Sequence, residues 1–396
     1  MLPLPLLPPG EGCRLHGVVY CYLDAGLNPV GKKEALHCRL PPYVLPSPAY
    51  MLALGIDPSN SPNALSELEF YGRIKRIFDE KPCLVTYSFR YIEALNAIGL
   101  RTFRGQNIFA GLEHVIDVRN AIDACRIFGS TRLAEGDLAE HARLAGFDGP
   151  LDRYDHFSRL DALAFLLRKL KADDPRILNF CFTPLSEQKA QLDSICRKGG
   201  FYLRLKNGQP ELLKCLDMNG YRLKALTAAD YPHMLSFSIL SHDFLCPCSV
   251  LTPARQEALH MDLQKFTADL DEIARNKGDL ELEEGSYFDA FLEKLSGADL
   301  DFYREFENRD PRALNLAPLQ ISRTMRRRHF LFKADNLFPT LLDSEQEQYR
   351  SFCVKQVEGR IKHYVTQANT VSAGADENNP REAEMLKRIA NYPMTL

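Results

Sequence analysis

The feature that most constrains this chain is a change of hydrophobic period along its length. Up to about residue 183, strand-like and helix-like stretches alternate; between 184 and 257 short strand-like pieces recur around Gly and Asn turns; from 258 onward the pattern is helical almost to the end. A period of two lines one face of a strand, and a period of 3.6 lines one stripe of a helix. One layer architecture cannot satisfy all three regimes, so the sequence predicts an α/β part (1–183), a β part (184–257) and a helical part (258–396). No internal repeat breaks this reading.

Within the first part, residues 17–40 form a predicted hairpin, with GLNPVGKK as its turn. A Pro-rich loop (PPYVLPSP) follows. A helix is expected over 63–79, where Leu65, Leu68, Tyr71, Ile74 and Phe78 share a face. CLVTY at 83–87 is a short buried strand, and helices are expected at 89–98, 114–128, 136–145 and from Asp155 to Lys171. The β part is read from FYLRLK, YRLKAL and MLSFSIL, set between turns at Gly199-Gly200, Asn207-Gly208 and Asn219-Gly220. Helices are then expected at 258–276, 286–306, 319–335, 344–367 and 381–391, with an acidic loop (GDLELEEGS) and a polar linker (NTVSAGADENNP) between some of them.

Composition removes several function classes. Hydrophobic residues make up 45% and charged residues 26%, the balance of a globular chain rather than a disordered one. No run approaches the ~20 apolar residues of a membrane span. The start, MLPLPLLPPGEG, has no basic head and carries four prolines, so it is not read as a leader. Eleven irregularly spaced cysteines suit a reducing cytoplasm better than a disulfide scaffold. A formal net charge of −3 excludes a globally basic nucleic-acid binder but permits a local basic groove.

Several stretches then take on a common meaning: GVVYCYLDAGLNPVG, LPSPAYMLALGIDP, HVIDVRNAIDACRIFG, LDALAFLLRKLKADDPRILNFCF, LCPCSVLTP and KADNLFPTLL. In this order and spacing the chain resembles bacterial exonuclease I, the DEDD-type single-strand-specific 3′→5′ DNA exonuclease. The resemblance is weak residue by residue but collinear over nearly the whole chain. It implies an RNase H-like exonuclease domain, an SH3-like β domain and a helical C-terminal domain.

Such nucleases hold two divalent metals ~4 Å apart with four carboxylates, and a His activates the attacking water. The family's first motif, Asp-x-Glu on the first strand, has no counterpart here: residues 1–10 contain no acid, and the strand itself is expected to be missing. That loss would leave a sheet edge for the Pro-rich N-terminus or another chain to cover. In Phe89-Arg90-Tyr91-Ile92-Glu93, Ile92 takes the place of the third carboxylate. For the last motif two registers compete. The gapless one, preferred here, puts Tyr154 at the catalytic His and Arg159 at the metal-binding Asp. The other matches His156 and Asp161, which have the family's five-residue spacing. Their plain reading is a helix N-terminus capped by Asp155.

On either register hydrolysis should be lost, because one acid cannot hold two hydrated Mg²⁺ ions. The leading expectation is a pseudo-nuclease, without metal or other cofactor, that binds single-stranded DNA, the acidic tail of single-strand binding protein, or a dedicated protein complex. Two alternatives stay open. One is an active Mg²⁺-dependent exonuclease using His156, Asp161, Asp155 and Asp148; the other is an interaction subunit without DNA affinity. Expected DNA- or peptide-binding residues are Arg323, Arg326, Arg327 and Arg328 in one cluster, and Lys198, Arg204 and Tyr202 in a second, where arginines hold phosphates and the aromatic ring stacks on bases. That second cluster belongs to a longer basic stretch, which also takes in Arg168, Lys169, Lys171, Arg176, Lys189, Arg197 and Lys206 and is interleaved with Phe201. His242, Cys246 and Cys248 lack a fourth zinc ligand and are read as strand residues. No glycine-rich phosphate loop and no nucleophile elbow is present.

Overall fold

The alternation in LHGVVYCYL makes β2 (Leu15–Leu23), which runs antiparallel to β3 (Pro29–His37) with Gly17 opposite His37. Glycine is required at that crossing, since a Cβ on Gly17 would lie 2.2 Å from the Leu36 carbonyl oxygen. The computed structural model describes residues 1–5, 13–57, 63–81, 83–104, 107–131, 133–206, 208–227, 233–239, 244–275, 282–284, 291, 294–295, 297–309, 320–374 and 379–395.

The expected loss of the first strand is corrected. Leu2–Pro5 forms a short β1, antiparallel to β2 with Leu2 opposite Val19. Prolines at 3 and 5 remove N–H groups from one edge only, so the other edge still pairs. The Met1 ammonium donates to the Val85 carbonyl (2.8 Å) and so joins β1 to β4 (Cys83–Thr86). β4 in turn runs parallel to β5 (His114–Asp117). Residues 114–117, expected to begin a helix, are thus a strand. The helix α5 (Val118–Phe128) starts only where the Asp117 carboxylate accepts the Asn120 amide (3.0 Å). Four strand residues carry too little periodicity to separate them from the helix that follows.

Three further helices frame the sheet. α1 (Pro48–Leu54) and α2 (Glu67–Glu80, with a Ser66/Glu69 capping box) precede β4. α7 is the long helix His156–Asp173, which buries Leu160, Leu163, Leu167 and Leu170 in the main core beside Ile116 and Ile122. Asp155 caps it by accepting the Phe157 amide (3.0 Å), as read from sequence.

Six strands, five from the second part and the last from the third, pair in the order β10-β6-β7-β8-β9-β11. They are β6 (Phe201–Lys206), β7 (Gln209–Asn219), β8 (Arg222–Thr227), β9 (His233–Ser238), β10 (Phe244–Pro247) and β11 (Leu282–Glu284). β7 escapes the sequence pattern because Pro210, Glu211 and Lys214 dilute its alternation. β11 is a correction: the acidic stretch read as a loop supplies a strand parallel to β9.

The helical part includes Arg323–Asn336, Asp343–Ala373 and Pro380–Asn391. Helix Asp343–Ala373 runs on through the first residues of the expected polar linker, and 375–378 lie outside the described residues. The last two helices pack back onto α1. A buried polar network ties this part to the first. Arg14 and Arg101 both donate to Glu67 Oε1 (2.6 Å each), while Tyr43 and Tyr349 donate to Asp335 (2.7 and 2.6 Å). Among the described residues no helix is long and apolar enough to cross a membrane.

Candidate functional site

The parallel strands β4 and β5 end at one place, and in open α/β sheets sites form beyond such carboxyl ends. There a cavity of about 570 Å³ opens between β1, α1, the turn after β4, the start of α5 and the start of α7. Its walls come from chain-distant residues. Leu2 and Leu4 come from β1, Tyr50 from α1, Tyr87, Ser88 and Tyr91 from the turn, and Arg119 from α5. Arg153, His156 and Arg159 complete the far side.

Local packing explains why these groups meet. Gly55, with φ +63°, ends α1, and a Cβ there would sit 2.4 Å from the Arg153 carbonyl oxygen, so only glycine lets the 153–154 backbone close against α1. Arg153 pairs with Glu382 of the C-terminal helix and lies over the Tyr154 ring. Tyr87 donates to the Gly136 carbonyl (3.1 Å) and contacts His141 Nδ1 (2.9 Å), fixing the loop that carries Asp137. Asp137, also in the wall, accepts the amides of Ala139 (2.8 Å) and Glu140 (2.9 Å).

The predicted positions separate cleanly. Arg159 lines the cavity. Ile92 does not: it is fully buried in a neighbouring apolar core, and the cavity face of that turn is presented by Ser88 and Tyr91. Tyr154 also packs toward the core rather than lining the cavity. His156 lines it, but Asp161 does not; its carboxylate pairs with Lys33 of β3 at 2.5 Å. Residues 156 and 159 are one helical turn apart and share a face, whereas 161 is rotated away. The rearranged acidic site therefore does not assemble: Asp155 caps α7, Asp148 is exposed, and only His156 of that set reaches the cavity.

The electrostatics are inverted relative to a metal cage. Burial pushes the Arg159 guanidinium below its usual range, with Asp137 and Tyr87 acting the other way. Burial also pulls His156 down to about 4, so it is neutral at pH 7, and its Nδ1 is buried without a hydrogen-bond partner. Asp117, at the end of β5, is raised to about 7 by burial, yet its oxygens are taken by the Phe89 amide (2.6 Å) and the Asn120 amide (3.0 Å). Among the described residues no three His, Cys, Asp or Glu side chains are placed to hold a metal. The donor set of the cavity does not fit Mg²⁺, which needs several carboxylate or water oxygens.

A scan against protein-family models finds no match to this chain, and a search of curated proteins finds none. Solved structures do match. A product-bound exonuclease I is similar at a TM-score of 0.76 and 16% identity, covering 100% of this chain and 98% of the other. The fold is that of exonuclease I. A complex described as SSB/exonuclease I with an inhibitor matches at 0.77 and 15% identity, covering 99% and 98%. A zinc-bound E. coli exonuclease I–single-stranded DNA complex matches at 0.73 and 15%, covering 99% and 97%. The exonuclease I architecture of RNase H-like, SH3-like and helical C-terminal parts agrees with the fold read from sequence.

The second basic group changes under this fold. Tyr202 is 2% exposed inside the β-part core, so it cannot stack on a base. Arg204 is 4% exposed, donates to Glu211 (2.8 and 2.5 Å) and lies over Phe237. Both are corrected to structural residues: a strand alternates faces, but β6 is covered on both sides. Lys198 is exposed. Arg323, Arg326 and Arg327 are exposed on helix Arg323–Asn336, while Arg328 is half-buried over Phe291 (4.2 Å). Earlier in the same basic stretch, Arg168 and Lys171 donate to the carbonyls of Leu27 and Ala25, and Lys169 and Lys189 pair with Asp173 and Asp193. Cys246 is buried in β10 and Cys248 follows it; His242 lies outside the described residues.

Sequence reasoning missed Leu2, Leu4, Tyr91, Arg119 and Asp137. The signal for Arg119 was present: an acidic cap directly after a short apolar strand puts the next residues at a strand's carboxyl end.

Proposed function

We propose that this chain is an exonuclease I-like binding protein that has given up hydrolysis and uses its fold to hold single-stranded DNA, the acidic tail of single-strand binding protein, or a protein partner. One observation carries the reading: the cavity at the strand ends is walled by Leu2, Leu4, Tyr91 and Arg159 where a two-metal nuclease needs carboxylates. A guanidinium there repels Mg²⁺ rather than binding it. Exonuclease I structures described with single-stranded DNA and with SSB support the choice of partners. The exposed Arg323, Arg326, Arg327 and Lys198 are the surface cations for phosphates or an acidic peptide.

The test uses 3′-labelled single-stranded DNA with Mg²⁺ or Mn²⁺. The expected outcome is retention on the protein without shortening, or retention of the acidic peptide alone. Processive shortening that Asp137→Asn or Asp161→Ala abolishes would overturn the proposal. Failure to bind either ligand at low salt would reduce the chain to a structural subunit.

A further inference from the structure

We propose that the cavity at the ends of β4 and β5 is a metal-free site for a phosphate monoester, held directly by Arg159 and Arg119, with the attached nucleoside against Tyr50 and Tyr91. The proposal deepens the reading above, since it names what the altered cavity takes.

Two guanidiniums, Arg119 at the rim and Arg159 half-buried, face this cavity, and neither has a carboxylate within salt-bridge distance among the described residues. A half-buried guanidinium with no carboxylate in direct contact is costly, and burial shifts Arg159 accordingly even though the Asp137 charge opposes that shift. The third arginine, Arg153, is already neutralised by Glu382. Among the described residues of the wall the one carboxylate is Asp137, whose Oδ1 accepts two backbone amides. Among the described residues the cavity thus sets two guanidiniums, neither in a direct ion pair, against one carboxylate. His156 also lines the wall as a neutral imidazole, its Nδ1 buried without a partner, so it adds no charge to oppose an anion.

The rest of the cavity suits the organic half of such a ligand. Leu2, Leu4 and Leu138 make one apolar wall, and Tyr50 and Tyr91, whose hydroxyls are hydrogen-bonded to one another, line the cavity with two aromatic side chains. Aromatic side chains stack on a base irrespective of its identity. A volume of about 570 Å³ lies within the range of small-ligand sites. In a two-metal nuclease the phosphate charge is met by metals held on carboxylates; here the charge is met by guanidinium forks, which match phosphate geometry bidentately. A terminal monoester carries nearly two charges and gains more from two arginines than an internal diester does. It has two sources, a free nucleoside monophosphate or a phosphorylated strand end.

The test is titration calorimetry on the whole chain in EDTA with thymidine, thymidine 3′-monophosphate, and dT6 bearing a 3′-phosphate or a 3′-hydroxyl. The phosphorylated ligands are expected to bind at least tenfold more tightly than their unphosphorylated counterparts. Arg159→Leu and Arg119→Leu should each abolish that preference. Tighter binding of the phosphorylated hexamer than of the mononucleotide assigns the site to strand ends; equal binding assigns it to free nucleotides. Fold is checked by melting: Arg159→Leu removes a half-buried cation that makes no direct ion pair, so it should melt no lower than the parent while losing the upward shift that thymidine 3′-monophosphate gives the parent. Equal affinity for phosphorylated and unphosphorylated ligands, or a preference surviving in Arg159→Leu, overturns the inference. Either result leaves the DNA- or peptide-binding reading intact if the long strand or acidic peptide still binds. Conversely, shortening of labelled DNA would sink that reading without touching a measured phosphate preference.

Discussion

Replacing Glu67 by Gln should cost this protein about 3 kcal/mol at pH 7. Glu67 is 5% exposed, and its carboxylate takes Arg14 and Arg101 at 2.6 Å each. Burial alone would raise its pKa, but Arg101 and Arg14 override that and hold it at about 2 instead of 4.5. At about 1.4 kcal/mol per pKa unit, that difference corresponds to about 3 kcal/mol of preference for the ionised carboxylate in the fold. Removing one member of a buried ion cluster costs about 3–5 kcal/mol by an independent route, because the remaining charges stay buried. The folded pKa lies below the unfolded one, so this contribution is present above pH 4.5 and is lost as pH falls through about 2. Urea unfolding of the parent and of Glu67→Gln, followed by circular dichroism at several pH values, reads the difference. The gap should be widest near neutral pH and close in acid. A gap below about 1 kcal/mol at pH 7, or one indifferent to acid, would show that the two arginines are satisfied elsewhere and that the reasoning is wrong.

Three more outcomes follow from the same geometry. Tyr202→Ala should destabilise by about 3–5 kcal/mol, as for other buried aromatics, and Arg204→Met should leave single-stranded DNA affinity unchanged when both are compared by melting and filter binding. Arg326→Glu with Arg327→Glu should lower DNA affinity and reduce the salt slope by about 1.4, since each phosphate contact on a single strand contributes roughly 0.7; an unchanged slope would move the DNA surface elsewhere. His16 is 6% exposed and burial lowers it to about 4, so the stability it contributes is present above pH 6.5 and lost as pH falls through about 4. Acid unfolding of His16→Phe should accordingly be flatter over that interval than that of the parent.

The three-part architecture was legible in the sequence because hydrophobic period is a local property, repeated often enough in α2, α7 and the β6–β8 strands to be read. The absence of an acid from residues 1–10 was equally legible. Short elements were not. β1, β5 and β11 hold four, four and three residues, and their state was decided by partners far along the chain: Val19, Cys83 and Met234. The site divided in the same way. Spacing alone allowed both His156/Asp161 and Tyr154/Arg159. Only the rotation of α7 against the sheet put Arg159 and His156 in the cavity and turned Asp161 toward Lys33. A sequence records which charges a chain carries. Whether Arg204 meets a phosphate or Glu211, and whether Arg159 meets a carboxylate or an empty cavity, depends on which surfaces burial brings together, and that is set by packing between segments the sequence keeps far apart.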